Sequence, residues 1–295
     1  MTTSGAGNKP RLGFVGIGLM GLPMTRRLLE QGYSVSVSGR EAERVSEAVA
    51  KGAHDARTPV GATDRSEVIL VCVTDADAVE DVVYGKDGVA ERASPEKVLV
   101  DCSTVDATRT RELALRLARE TGMGWVDAPI SGGPPAAAEG TLALMAGGAA
   151  KDVERVRAVM TALGRFTHMG PSGSGQVTKM VNQVIAGVTF AVLAEAVKLA
   201  ENAGIDAAKI PACLAGGYAD STMLQRIYPR MVARQFEPPA GLAKQMLKDL
   251  EMVADLGKAT NTSTPMAAQA AVLYRLMVAR GMGSVDTIGV LKLYE

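Results

Sequence analysis

The sequence predicts an α/β fold in which a doubly wound parallel sheet is followed by an all-α domain. From Arg11 onward, short apolar runs rich in valine and isoleucine alternate with longer amphipathic segments, a pattern that predicts parallel strands joined by helices. After Gly170 the sequence shows only a succession of helical patterns. A length of 295 residues fits two domains of ordinary size. We therefore expect one domain at residues 10–172 and a second at residues 173–295.

The predicted strands of the first domain are apolar on both faces, as in Val68–Val73 (Val-Ile-Leu-Val-Cys-Val). Such strands are typical of sheets covered by helices on both sides. Strands are expected at Leu12–Val15, Ser34–Ser38, Val68–Val73, Val98–Asp101 and Trp125–Val126. Helices are expected between them at Met20–Gln31, Glu41–Lys51, Ala76–Tyr84 and Ala107–Glu120. Residues 1–9, small and polar, are expected to be disordered.

The second domain is predicted to be built around one long helix at Ser174–Ala203, roughly 45 Å in length at 1.5 Å per residue. Apolar residues lie all round this segment, so we expect it to be buried on most sides and to pack partly against another copy of the chain. Shorter helices are expected at Asp206–Leu214, Ser221–Val232, Leu242–Ala259, Pro265–Arg280 and Asp286–Tyr294. The longest uncharged stretch, Met180–Ala194, has 15 residues and is shorter than the roughly 20 that a membrane-spanning helix needs. This predicts a soluble protein.

Charge and cysteine content exclude several classes of function. The 32 basic and 32 acidic residues balance, so no overall field favours nucleic acid or an anionic membrane. Cys72, Cys102 and Cys213 are odd in number and far apart, which predicts neither a disulfide framework nor a metal site. A reducing, cytoplasmic location is the natural expectation.

The first motif with chemical meaning is Gly16-Ile-Gly18-Leu19-Met20-Gly21, which follows a predicted strand and opens a helix. In a Rossmann-type dinucleotide site, the first glycine allows the tight turn, the second lets a pyrophosphate approach, and the third lets the helix pack close to the strand. The helix N-terminus then offers free N–H groups to the phosphates. The alternative is a tight turn with no ligand.

The end of the second predicted strand indicates which dinucleotide would bind. An NAD site places an acidic residue there to accept hydrogen bonds from the ribose, but this chain has Ser38-Gly39-Arg40. Arg40 can pair with a 2′-phosphate and Ser38 can donate a hydrogen bond. NADP is favoured, with NAD as the alternative; Arg40 could instead be a solvated cation neutralised by Glu41 or Glu43.

Two further segments carry polar groups suited to catalysis. Lys179, Asn182 and Gln183 lie on one face of the long predicted helix, and a lysine buried there needs a partner or a task. Burial lowers the pKa of a lysine toward the range of a general acid/base, although a structural lysine is an alternative.

Ser131-Gly132-Gly133, after the strand at Trp125–Val126, offers a hydroxyl and two N–H groups to a carboxylate; the alternative is an interdomain turn.

Taken together, these segments resemble the β-hydroxyacid dehydrogenase family over essentially the whole chain from Arg11. The resemblance is carried by GFVGIGLMGLPM (13–24), VDCST (100–104), DAPISGG (127–133), GTLALMAGG (140–148), GSGQVTKMVNQ (173–183) and LKDLEM (247–252). It implies that Lys179 is the catalytic acid/base, that Asn182 is its polar neighbour, and that Ser131, Gly132 and Gly133 bind the substrate carboxylate. It also implies that Thr104 lies at the nicotinamide end and that Lys248 closes the cleft; Val73 and Thr74 complete the expected cofactor site.

One departure from the family pattern, and two comparisons with related families, narrow the range of possible substrates and enzyme classes. Gln183 stands where many members have asparagine, a variant that resembles the tartronate semialdehyde reductase branch, so we count it as substrate-binding. Imine reductases resemble the same fold but usually lack the lysine, and 6-phosphogluconate dehydrogenases are much longer. We therefore expect an NADP-dependent homodimeric or homotetrameric enzyme that acts on a small hydroxy acid or semialdehyde. The rivals are a non-catalytic dinucleotide-binding redox sensor, an imine reductase, and a structural protein with a vestigial nucleotide fold.

Overall fold

A computed structural model describes residues 9–295, and the chain divides between Lys179 and Met180 into two compact units. The division falls within one continuous helix, Ser174–Asn202. Except for Lys9, the residues expected to be disordered at 1–9 lie outside the described residues. Each unit has its own hydrophobic core.

The first unit is built on a mostly parallel sheet. Its strands within the described residues are β1 (Leu12–Val15), β2 (Val35–Ser38), β3 (His54–Asp55), β4 (Val68–Val71), β5 (Val98–Asp101), β6 (Gly124–Asp127), β7 (Ile130–Ser131), β8 (Leu142–Gly148) and β9 (Gly164–Gly170). The order runs β3-β2-β1-β4-β5-β6-β8, and β8 also pairs with β7 and β9. Pairing is parallel from β3 through to β6, antiparallel where β8 meets β6 and β7, and parallel again between β8 and β9.

Helices cover both faces of this sheet, as the apolar strands predicted. They are α1 (Gly21–Glu30), α2 (Ala42–Ala50), α3 (Pro59–Asp64), α4 (Ala76–Tyr84), α5 (Ala107–Thr121), α6 (Gly133–Glu139) and α7 (Ala150–Thr161), with a 3-10 turn at Val89–Arg92. Successive strand residues point to opposite faces, so that Phe14 and Leu70 belong to one buried cluster while Val15 and Val71 belong to another. The predicted doubly wound sheet is confirmed.

The five predicted strands are present with small shifts of their ends, whereas β3, β7, β8 and β9 were not predicted. β8 reads Leu-Ala-Leu-Met-Ala-Gly-Gly and β9 both begins and ends with glycine. Glycine is uncommon inside strands, so these segments look like loops in the sequence. The sheet is therefore mixed at the edge formed by β7, β8 and β9.

The second unit is helical, as expected. After α8 (Ser174–Asn202), which begins in the first unit, come α9 (Ile210–Leu214), α10 (Thr222–Val232), α11 (Ala243–Ala259) and α12 (Pro265–Ala279). The predicted helix at Asp206–Leu214 begins with a 3-10 turn at Ala207–Lys209, and the last predicted helix is a 3-10 segment, Thr287–Tyr294, rather than an α-helix. Within residues 180–295 the only strand-like pairing is an isolated bridge between Leu242 and Asp286.

The expectation that the long helix is buried on most sides is wrong for the single chain. Val181, Ile185, Val192 and Leu199 on α8 are 55%, 63%, 48% and 73% exposed. Apolar composition alone does not show which faces the rest of the chain covers, and this stripe is left open. By length and composition α8 could also cross a membrane, a test that the core helix of a soluble protein passes equally well.

Candidate active site

The predicted cofactor residues of the first unit lie at or just beyond the carboxyl ends of four neighbouring parallel strands, whereas Lys248 lies on α11 in the second unit. The turn Gly16–Gly21 follows β1, Ser38 ends β2, Val73 and Thr74 follow β4, and Thr104 follows β5. Ligands of open α/β sheets bind outside this edge. The first unit therefore gathers at one edge residues that are separated by almost 90 positions in the sequence.

The three glycines of the turn have different surroundings. Gly16 has a φ of +99°, and a Cβ there would lie 2.3 Å from the Cys72 carbonyl oxygen; a Cβ on Gly21 would lie 2.0 Å from the carbonyl oxygen of Gly16. A Cβ on Gly18 would find no described atom nearer than Nη1 of Arg44, at 3.8 Å. The protein's own packing thus requires the first and third glycines, while the second faces open space where a pyrophosphate fits.

The start of α1 also fits a phosphate. No side chain caps its N-terminus at Met20, and its first turn holds no acidic residue. The first N–H groups of a helix have no intrahelical partner and favour a negative charge. Leu19 and Met20 lead into this uncapped end directly behind Gly18.

The ion pairing of Arg40, which follows β2, differs from one of the two alternatives that its sequence context suggested. Arg40 is exposed and forms no ion pair within residues 9–295, while Glu41 pairs with Arg44 at 3.0 Å. The proposed neutralisation of Arg40 by Glu41 or Glu43 is therefore absent from the described part of the chain. Ser38 is buried, and its Oγ donates a long hydrogen bond of 3.5 Å to the Arg57 carbonyl.

Sequence reasoning missed Arg44. Its guanidinium lies beside Gly18, the second glycine of the dinucleotide motif, where phosphate is expected. The signal available in the sequence was a second arginine in the first turn of the helix that follows β2. Arg44 pairs with Glu41, so Arg40 is the arginine of this segment that forms no ion pair within residues 9–295.

Lys179 and the Ser131 loop are brought together in the first unit. Lys179 is only 7% exposed, and its Nζ donates a 2.8 Å hydrogen bond to the carbonyl oxygen of Ile130. Ile130 and Ser131 form β7, directly before Gly132. The expected acid/base and the expected carboxylate loop are thus adjacent, although 48 residues separate them in the chain.

The glycines of this loop are required by its path. Gly132 and Gly133 have φ values of +132° and +73°, which favour glycine. A Cβ on Gly132 would lie 2.6 Å from the Cβ of Ala136. The backbone there turns sharply into α6, whose N-terminus has no side-chain cap.

Asp127 fastens the start of α8 to the sheet. Its carboxylate is fully buried and accepts hydrogen bonds from the backbone N–H groups of Gly173, at 2.8 Å, and Gln176, at 3.2 Å. Burial raises the pKa of Asp127, against the opposing effect of these backbone donors. Asp127 belongs to the DAPISGG segment, but its contacts with the start of α8 span almost 50 residues and leave no local signal in the sequence.

A second polar cluster lies entirely in the second unit. Nδ2 of Asn182 donates to Oε1 of Gln183 at 2.7 Å, and Nε2 of Gln183 donates to Oδ2 of Asp249 at 2.5 Å. Lys248 lies next to the same carboxylate, with Nζ 3.4 Å from Oδ1. Because an ionised carboxylate only accepts hydrogen bonds, Asp249 fixes the orientation of the Gln183 amide, which in turn fixes that of Asn182. Asp249 stands beside Lys248 in the LKDLEM segment but was not singled out from the sequence.

Histidines and metal-binding groups contribute nothing further to these clusters. Within residues 9–295, His168 Nε2 forms hydrogen bonds with the backbone carbonyls of Gly148 and Gly170, at 3.0 and 2.8 Å, and His54 is exposed on β3. Among residues 9–295 no group of three or more histidine, cysteine, aspartate or glutamate side chains could hold a metal ion.

Comparison with known proteins identifies the family. Residues 11–181 match the family described as the NAD binding domain of 6-phosphogluconate dehydrogenase, and residues 173–294 match that described as NAD-binding of NADP-dependent 3-hydroxyisobutyrate dehydrogenase. The chain is 34% identical to 2-hydroxy-3-oxopropionate reductase of Escherichia coli over 279 residues, 94% of each chain. It is 32% identical to NAD-dependent L-serine dehydrogenase of Pseudomonas aeruginosa over 292 residues, 97% of this chain and 98% of the relative.

A solved structure with the same fold supports this family relationship. The crystal structure of 3-hydroxyisobutyrate dehydrogenase from Salmonella typhimurium superposes with a TM-score of 0.88 at 27% identity, covering 97% of this chain and all of the other. The chain belongs to the β-hydroxyacid dehydrogenase family of oxidoreductases, which use a nicotinamide dinucleotide.

Proposed function

We propose that this protein is an NADP-dependent oxidoreductase that reversibly transfers hydride between nicotinamide and a small β-hydroxy acid or semialdehyde. The substrate class is that of 3-hydroxyisobutyrate, tartronate semialdehyde, succinic semialdehyde or glyoxylate. The observation that carries the proposal is the buried Lys179 ammonium held 2.8 Å from the Ile130 carbonyl, one residue before the Ser131 loop. A proton donor and a carboxylate site are thereby adjacent, as reduction of an oxo acid requires.

Lys179 is the general acid/base of this proposal. A bound nicotinamide supplies or accepts the hydride at the carbinol carbon of the substrate. In the reductive direction protonated Lys179 donates a proton to the carbonyl oxygen, and in the oxidative direction neutral Lys179 removes the hydroxyl proton. The Ile130 carbonyl accepts one ammonium N–H and so sets the direction of Nζ.

The remaining site residues bind and orient. The Ser131 hydroxyl and the N–H groups of Gly132 and Gly133 hold the substrate carboxylate. Asn182 orients the reacting hydroxyl, and Gln183 contributes to the substrate site while Asp249 fixes the directions of both amides. A hydroxyl and two N–H groups in one loop suit an anion, which is why we assign a small carboxylate rather than a neutral carbonyl compound.

The cofactor is held along the sheet edge of the first unit. The turn Gly16–Gly21, with Leu19 and Met20, holds the pyrophosphate, and Val73, Thr74 and Thr104 line the edge toward the nicotinamide. Lys248 is a further proposed cofactor residue. Ser38 and Arg40 hold the 2′-phosphate of NADP. Arg40 has no carboxylate partner in residues 9–295, which supports NADP over NAD.

The exposed stripe on α8 supports self-association. Val181, Ile185, Val192 and Leu199 recur at intervals of four, seven and seven residues, so they share one side of the helix. We propose that this stripe is covered by a second copy in a homodimer or homotetramer. We also propose that the protein is a soluble cytoplasmic enzyme with neither nucleic-acid nor membrane partners. Its proposed domains are residues 10–172 and residues 173–295.

Nicotinamide absorbance with a substrate panel tests the proposal. NADPH and NADH are offered separately with tartronate, succinate and methylmalonate semialdehydes, glyoxylate and a cyclic imine. We expect turnover of at least one semialdehyde or oxo acid, with NADPH preferred. Reduction of the imine alone would make the protein an imine reductase, and cofactor binding without any turnover would favour the redox sensor.

A further inference from the structure

Gln176 makes two hydrogen bonds that join the lysine helix to the loop after β5. Its side chain is fully buried on the first turn of α8, three residues before Lys179. Nε2 donates to the carbonyl oxygen of Ser103 at 2.9 Å, and Oε1 accepts from the N–H of Val105 at 3.1 Å. The two contacts lie on either side of Thr104.

This loop is tied to a second cofactor loop. The Oγ of Ser103 accepts a 3.0 Å hydrogen bond from the backbone N–H of Val73, and the N–H of Ser103 donates to Asp101 at 2.9 Å. Ser103 therefore lies between the loop after β4 and the amide of Gln176. The loops that follow β4 and β5 are thus linked to the helix that carries Lys179 through two side chains, those of Ser103 and Gln176.

The helical end of this link is itself fixed. The backbone N–H of Gln176 donates to Asp127, and Lys179 donates to the Ile130 carbonyl. These two buried hydrogen bonds fix this turn of α8 on the sheet, and they thereby fix the position of the Gln176 amide relative to the loop. A buried amide satisfied at both ends specifies one arrangement, because any other would leave polar groups unpaired.

We infer that Gln176 is a positioning residue that keeps the Thr104 loop in register with Lys179. The inference rests on the proposed function, in which hydride passes at the nicotinamide end of that loop and the proton passes at Lys179. Gln176 touches neither the substrate nor the cofactor; it sets the distance between the parts of the chain that do. A displacement of about 1 Å in such a site can cost about a hundredfold in rate.

Three variants test this inference. Gln176→Leu removes both hydrogen bonds at similar volume, and Gln176→Glu keeps the acceptor for Val105 but loses the donor to Ser103. Thr178→Ala is the matched control, because it removes a hydrogen bond on the same turn of α8, from Thr178 Oγ1 to the Ser174 carbonyl, and leaves the loop contacts intact. Each is compared with the wild type for melting temperature, cofactor affinity, kcat, KM and the isotope effect of 4-deuterated NADPH.

For the Gln176 variants we expect kcat to fall by about ten- to a hundredfold, with KM within about threefold and a larger isotope effect as hydride transfer becomes slower. Thr178→Ala should keep the wild-type kcat and isotope effect. Unchanged kcat in folded Gln176→Leu would overturn the inference. So would an equal loss in Thr178→Ala, which would mean that the helix is merely destabilised.

A readout without cofactor separates this inference from the proposed function. Hydrogen exchange of the Val105 amide in the cofactor-free protein should be faster in Gln176→Leu than in the wild type and unchanged in Thr178→Ala. Equal protection of the Val105 amide in the wild type and both variants would show that the Gln176 side chain does not hold this loop, and would overturn the inference. If the wild type turns over no member of the panel, the proposed function fails and the positioning role falls with it; normal turnover in both the wild type and Gln176→Leu rejects the positioning role alone.

Discussion

The ammonium of Lys179 donates a hydrogen bond to the main-chain carbonyl of Ile130, and this contact joins the two segments of the first unit that carry the most chemistry. The carbonyl acceptor is neutral, so it directs the lysine without forming a buried ion pair with it. The residue after Ile130 is Ser131. The proposed acid/base group and the proposed anion-binding loop are thereby held together.

Arg40 is predicted to select NADP. Arg40→Ala should raise KM for NADPH by about ten- to a hundredfold, the loss of a charge-assisted hydrogen bond, and leave KM for NADH unchanged. Arg44→Ala should weaken both cofactors, because Arg44 lies beside Gly18 and not at the end of β2. Steady-state kinetics with both cofactors measure this, with Arg65→Ala as an exposed control. Equal loss for NADPH and NADH in Arg40→Ala would contradict the assignment.

Gly18 is predicted to serve the ligand and not the fold. A Cβ there would meet no described atom within 3.8 Å, so Gly18→Ala should change the unfolding free energy by less than about 1 kcal/mol. It should nevertheless weaken NADPH binding at least about tenfold, because the methyl group occupies the space of the pyrophosphate. Gly21→Ala is the comparison, since its Cβ would clash with the Gly16 carbonyl and destabilise the protein. Calorimetry measures the stability of each variant, and titration with NADPH measures its cofactor affinity. Undiminished NADPH affinity in Gly18→Ala would argue for a turn without a ligand.

The raised pKa of Asp127 predicts how stability depends on pH. Burial raises this pKa above the ordinary value of 3.8, so between the two values the folded state binds more protons than the unfolded state and stability falls as pH rises. The stability of the wild type relative to Asp127→Asn should therefore be greatest below about pH 4 and fall as pH rises through the raised pKa. Denaturant unfolding of both proteins across this range measures the difference. An increase with pH would mean that the backbone donors outweigh burial.

The α8 stripe predicts a specific way to dissociate the oligomer. Ile185→Lys places a charge in the middle of the exposed apolar side, and burying an unpaired charge against a second copy is costly. Light scattering should show a dimer or tetramer for the wild type and a monomer for the variant. Leu115→Lys is the control, since Leu115 is 51% exposed on α5 in the first unit. A monomeric wild type at micromolar concentration would contradict the prediction.

Local patterns predicted the fold well and the site only in pieces. The turn after β1 and the apolar strands are local signals, and the structure confirms the sheet that they predicted. Strands β8 and β9 were missed because their glycines suggest loops, and the open stripe on α8 could not be inferred from composition. Contacts such as Gln176 with Ser103 and Gln183 with Asp249 join residues 73 and 66 positions apart, and no periodicity or spacing encodes them.

The role of Lys179 is tested most directly by the turnover of Lys179→Ala alongside its NADPH affinity. General acid/base catalysis contributes about a hundred- to ten-thousandfold to rate, so kcat should fall by at least about a hundredfold while the dissociation constant of NADPH stays within about threefold. Lys179→Arg, which keeps the charge but cannot exchange a proton near neutrality, should be equally impaired. Normal turnover in Lys179→Ala would contradict the account and leave the buried lysine a structural role.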